Sequence, residues 1–131
     1  VIFFNRKLSP MVLDGTEPAS TFVYATPENL AKTRRWIETV DIGIGAPPNN
    51  ALEFAIELEP DAVYLLTDGV TKVDVAAHLQ EINRTESLFG EPRVLTPIHP
   101  IAYYSLEGQQ LLRRIAAENN GKFIYVPDPR R

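Results

Sequence analysis

The chain has 131 residues, 44% hydrophobic and 23% charged, the size and balance of one globular domain able to bury a substantial core. Its net charge of −4 offers no attraction to phosphate backbones or anionic lipid, so nucleic acid is not an expected partner. The absence of Cys removes disulfides, zinc thiolate sites and cysteine nucleophiles, and no apolar run nears the roughly 20 residues that span a bilayer.

Val1-Ile2-Phe3-Phe4 is a short run of β-formers ended by Asn5-Arg6-Lys7, and an apolar strand at the first residue reads as a chain cut from something longer. Leu8 to Leu13 reads as an edge strand because Pro10 cannot donate to a ladder, and Asp14-Gly15 marks a turn. Thr21 to Tyr24 is ambiguous, with extended structure one reading. A helix start follows: Thr26 caps, Pro27 suits the first helical position, and Glu28 complements the positive end of the dipole. Leu30, Thr33, Ile37 and Val40 carry its stripe, so the helix ends near Val40.

Asp41 to Pro48 is a loop by its Gly and Pro content. Asn49 and Asn50 stand where a cap is wanted, before the helical stripe Ala51, Leu52, Ala55 and Leu58. Pro60 ends that helix. Ala62 to Leu66 is an uninterrupted apolar strand, which reads as buried on both faces of a parallel sheet. Val75, Leu79 and Ile82 give the next helix its buried face. Arg93 to Tyr104 carries strand residues, with Pro97 and Pro100 kinking it or confining it to one side. Leu111, Leu112, Ile115 and Ala116 mark a last helix, Asn119-Asn120-Gly121 its left-handed cap, and Lys122 to Val126 a last strand.

This alternation predicts an α/β fold: a Rossmann-like open, mostly parallel sheet with one antiparallel edge strand and helices on both faces. Residues 1–126 form the domain and 127–131 a tail or linker.

Ligands of open α/β sheets bind beyond the carboxyl ends of the strands, where Thr67-Asp68-Gly69 lies. Asp68 there either meets a cation, supported by Thr67, or caps the following turn, which Gly69 permits. Gly43-Ile44-Gly45-Ala46 lacks the third Gly of a dinucleotide fingerprint and follows a helix rather than a strand. His78 and His99 show no metal-ligand spacing, and no Ser sits in a nucleophile elbow. Asn83-Arg84-Thr85 fits a glycosylation sequon. Arg34-Arg35-Trp36 forms either a stacking patch or an ordinary exposed helical face, and Tyr103-Tyr104-Ser105 either contacts a partner or fills the sheet edge.

The run Tyr64 to Gly69 resembles the fourth strand of a von Willebrand factor type A domain, which ends in a similar Thr-Asp-Gly. Val1 to Asn5 resembles the second strand of bacterial members, and Ala25 to Asn29 the helix start after the edge hairpin. Ala51-Leu52 with Ala55, Leu58 and Pro60-Asp61 resembles the third helix and its exit, and Leu111 to Phe123 the last helix, cap and strand. The resemblance covers nearly the whole chain. It implies a non-enzymatic, soluble protein-binding module within a larger protein or assembly; the compartment stays open, a larger membrane-associated or secreted bacterial protein being one setting.

The family's metal-ion-dependent adhesion site holds Mg²⁺ through oxygen ligands from three loops. The Asp-x-Ser-x-Ser motif of the first loop occurs nowhere in this sequence. Ala46 falls on the Thr position of the second, and Asp68 matches the third. The resemblance therefore implies a degenerate site, with Asp68 a weak metal candidate and Mg²⁺ optional or absent. Thr67, Gly69, Gly45, Ala46, Pro47 and Tyr104 are the ligand-face candidates. The family's central first strand is also missing, so Val1 to Phe4 and Ala62 to Leu66 are expected to have unpaired inner edges. Upstream chain fills the gap, or another chain does, or the two strands close up. An uncovered edge would also favour self-association. The alternative reading is a small α/β enzyme or phosphate- or metal-binding domain using Asp68.

Overall fold

The computed structural model describes residues 1–130, and its contacts divide the chain into two compact units, Val1–Ala51 and Leu52 onward. In the first unit, β1 (Ile2–Phe4) and β2 (Leu8–Pro10) form an antiparallel pair with Phe3 opposite Ser9. β2 stops at Pro10, and Thr21 to Tyr24 forms no strand. Helix α1 (Pro27–Thr39) starts as its sequence dictates: Pro27 opens it, and the Thr26 hydroxyl accepts from the Asn29 N–H at 3.2 Å. No residue of α1 is buried. It is tethered by contacts such as Phe3 edge-on to Trp36 at 5.6 Å and Lys32 between Asp14 and Glu28. Those two carboxylates, Asp14 foremost, hold the Lys32 ammonium above its ordinary pKa. Helix α2 (Asn49–Glu57) runs across the division and buries Ala51, Leu52 and Ile56.

The second unit alternates strand and helix: β3 (Val63–Thr67), α3 (Val75–Ile82), β4 (Ile98–Tyr103), α4 (Gln109–Glu118) and β5 (Ile124–Val126). The strands make a parallel sheet in the order β3-β4-β5, with Leu65 opposite Pro100 and Ala102 opposite Tyr125. Helix α4 packs on β4, and α3 packs on α4. Their apolar faces supply Val75, Ala76, Leu79, Leu112, Ile115 and Ala116 to a core shared with Leu65, Ile98 and Ala102. Asp74 caps α3 through the Ala77 N–H at 3.0 Å. Asn120, at φ 52°, provides the left-handed residue that ends α4, and the Gly121 N–H donates to Ala116 O at 2.9 Å.

The mixed α/β class and the element order agree with the sequence reading; three particulars differ. The strands form two separate sheets rather than one sheet with an antiparallel edge. Strand β3 is not buried on both faces: Leu65 is buried, but Tyr64 is 66% and Leu66 55% exposed. Strand β4 begins only at Ile98 within the Arg93 to Tyr104 stretch, and Pro100, buried inside it, pairs on the β3 side alone. Its missing N–H costs no ladder bond, because β5 pairs with β4 only from Ile101 onward.

Candidate functional site

At the carboxyl end of the three-stranded sheet, β3 ends on Thr67 opposite Ala102 of β4, so Asp68 leaves the sheet next to Tyr103, the last residue of β4, which pairs with Val126 of β5. Two local hydrogen bonds shape the β3 exit. The Thr67 hydroxyl accepts from the Gly69 N–H at 3.2 Å, and Asp68 Oδ1 accepts from the Val70 N–H at 3.0 Å. Gly69 turns the chain at φ 72°, a conformation that glycine adopts without strain. Asp68 is therefore exposed and held by a turn of its own making.

The platform beneath is backbone against backbone. A Cβ on Gly108, the residue before α4, would lie 2.3 Å from the Gly69 carbonyl carbon and 2.4 Å from Asp68 O. Two glycines thus let the β3 exit loop sit directly on the start of α4. Beside them, Tyr103 and Tyr104 stack at 4.0 Å with their hydroxyls 3.0 Å apart. Tyr104 holds φ 65°, which costs an aromatic residue strain, and its N–H is fixed by Val126 O at 2.9 Å. The Tyr103 hydroxyl foremost, then desolvation and last the neighbouring Asp128, raise the pKa of the Tyr104 phenol.

Of the ligand-face candidates, Thr67, Asp68, Gly69 and Tyr104 belong to the second unit; Gly45, Ala46 and Pro47 belong to the first, where Gly45 and Pro47 are exposed and Ala46 half-buried. The donors around Asp68 do not fit Mg²⁺. A near-octahedral cation needs more oxygens than one carboxylate and one hydroxyl provide, and the Thr67 hydroxyl already serves the turn. Among the described residues no three His, Cys, Asp or Glu side chains gather as a metal-holding group.

The opposite end of the sheet holds what the sequence reading missed. Asn83, Thr96 and Asn119 are buried and mutually bonded: Asn83 Nδ2 donates to Thr96 O at 2.8 Å and to Asn119 Oδ1 at 2.9 Å, and Asn83 Oδ1 accepts from the Thr96 N–H at 2.9 Å. Arg84 adds bonds to Asn83 O, Asn119 Oδ1 and Glu118 O. With Asn83 fully buried and both amide hydrogens committed, the folded unit has no glycan acceptor at this sequon. The only advance signal was an Asn directly after each of two helices.

Among the described residues neither histidine joins a metal-holding group. His99 stacks on Tyr64 at 4.9 Å and its Nδ1 accepts from the Lys122 N–H at 3.0 Å. His78 Nε2 is buried 3.0 Å from Glu53 Oε1 but makes no hydrogen bond. An open groove of about 440 Å³ beyond α3 is lined by Glu81, Glu86 and Glu91, with Arg84 beside them already engaged inward. No known protein family, curated protein or solved structure matches the chain.

Proposed function

We propose that this chain is a protein-binding module of the von Willebrand factor type A class, working within a larger protein or assembly by binding rather than catalysis. Its contact surface is the carboxyl end of the second unit's sheet, around Asp68, Tyr103 and Tyr104, and it works without a bound metal. The observation that carries this reading is the strained, stacked tyrosine pair beside an exposed carboxylate. Strain of this kind persists where the surroundings over-determine it, and tyrosines with few torsions are favoured anchors of protein interfaces. The glycine-on-glycine platform keeps the backbone fixed, so little conformational entropy is lost when a partner docks.

The test is selection of peptide ligands from a displayed library, followed by amide chemical-shift mapping. Selected peptides should perturb Thr67 to Val70 and Tyr103 to Ser105. Replacing Tyr104→Gly, which tolerates the positive φ, should weaken them about tenfold or more without lowering the melting temperature. Peptides that map elsewhere, or that bind the glycine variant equally well, would remove the basis for this surface.

A further inference from the structure

We propose that the outer edge of β3 pairs with β3 of a second copy of this chain, antiparallel about a two-fold axis at Leu65. Two three-stranded sheets thereby become one. Strand β3 borders its sheet and, among the described residues, pairs only with β4. The Val63 N–H donates to Pro97 O at 2.9 Å, so Val63, Leu65 and Thr67 turn their peptide groups toward β4. By alternation, Tyr64 and Leu66 turn theirs outward. The side chains of those same two residues are 66% and 55% exposed. Edges left open in this way are ordinarily guarded by charge, proline or a bulge. The sequence Val-Tyr-Leu-Leu-Thr has no charge and no proline.

This edge is complementary to itself. With Leu65 on the two-fold, Tyr64 faces Leu66 of the second copy, and both residues of that pair direct N–H and C=O outward. Each such pair therefore exchanges both of its hydrogen bonds, and an aromatic ring meets an aliphatic side chain across the strands. Any other occupant would have to supply a strand of matching pattern, whereas a second copy supplies it by symmetry. A five-residue edge buries less than the roughly 1,200 Å² of a stable interface, so the dimer is transient, with a Kd on the order of tens of micromolar. Two copies at −4 each also repel, so added salt strengthens the pairing. The inference stands apart from the loop-face reading, because Leu66 can be changed with Asp68 and both tyrosines left in place.

Sedimentation velocity across about 5 to 500 µM should show a shift from monomer to dimer. Leu66→Lys should weaken it at least about tenfold. Tyr64→Pro, which removes an outward donor and no bond to β4, should do the same. The chain has no cysteine, so mixed Tyr64→Cys and Leu66→Cys chains test the register directly. A hydrogen-bonded antiparallel pair sets the Cα atoms about 5.5 Å apart, within disulfide reach. Oxidation should yield the mixed dimer well above the yield from a Phe89→Cys control, a residue 96% exposed on a loop. A monomer throughout, a dimer indifferent to Leu66→Lys, or cross-linking no better than the control would each overturn the proposal.

Discussion

The two ends of the three-stranded sheet solve opposite problems. At the amino end, side chains do the fastening: Asn83, Thr96, Asn119 and Arg84 join the ends of α3 and α4 to the entry of β4, every partner named and buried or half-buried. At the carboxyl end the backbone does it, Gly69 lying on Gly108, and the side chains of Asp68, Tyr103 and Tyr104 are left to solvent or to one another. Buried side-chain bonding is concentrated at one end, and solvent-facing side chains at the other. Substitutions at the amino end should therefore cost folding free energy, and side-chain substitutions at the carboxyl end should cost almost none.

The largest expected effect is at Gly121. A Cβ there would lie 1.6 Å from Ile98 O, so either β4 or the α4 cap must move. Gly121→Ala should cost about 4 kcal/mol or more, read as the urea midpoint of unfolding at unchanged slope. A cost under about 1 kcal/mol would mean that the cap can shift freely, and the amino end would not be the rigid one. Asn83→Ala comes next. It leaves the buried Thr96 N–H and Thr96 O without partners and frees one side of Asn119 Oδ1. About 3 kcal/mol is expected for orphaning groups of this kind.

These two positions show what was legible in the sequence and what was not. The run Asn119-Asn120-Gly121 announced a left-handed helix end, and Asn120 at φ 52° bears that out, because the preference is local. The steric need for Gly121 depends on Ile98, far away in sequence, and no local pattern carries it. Asn83 likewise read only as part of a glycosylation sequon, and its burial depends on α3, α4 and β4 closing around it. Strand β3 was placed correctly to within a residue, but its apolar run says only that the strand is apolar. Whether both faces are covered depends on which elements pack there, and Tyr64 and Leu66 are exposed. The Asp68 turn was one of two readings open at that position, and it forms by bonds local to Thr67, Asp68, Gly69 and Val70.

Acid offers a milder test, at the ion pairs that Arg114 makes with Asp74 and Glu118. The Asp74 carboxyl is held below its ordinary range by the Ala77 N–H and then by Arg114, and Glu118 is lowered by Arg114 and Gln80. A depressed folded pKa means stability that is present above the unfolded value, near 4 for both types, and lost as pH falls through the folded value. Unfolding midpoints should therefore decline below about pH 4, and Arg114→Gln should flatten part of that decline. An acid limb that Arg114→Gln leaves unchanged would mean that these ion pairs do not stabilise the fold.

The smallest expected effect is at Asp68 itself, and it sharpens the division most. Asp68→Asn keeps an Oδ1 that accepts from the Val70 N–H, so the turn survives and only the charge is removed. The melting temperature should stay within about 2 °C of the parent, as for an exposed site free of buried partners. MgCl₂ up to about 10 mM should give neither protein a saturable rise, whereas a ligand at a hundred times its Kd would add about 2.7 kcal/mol. A saturable rise in the parent that vanishes in Asp68→Asn would restore the metal and overturn the metal-free reading of this surface. With no rise in either, any loss of peptide binding in Asp68→Asn belongs to the carboxylate alone. Asp68 then acts as a charged contact on a rigid turn, and no cation is needed to explain why it stands there.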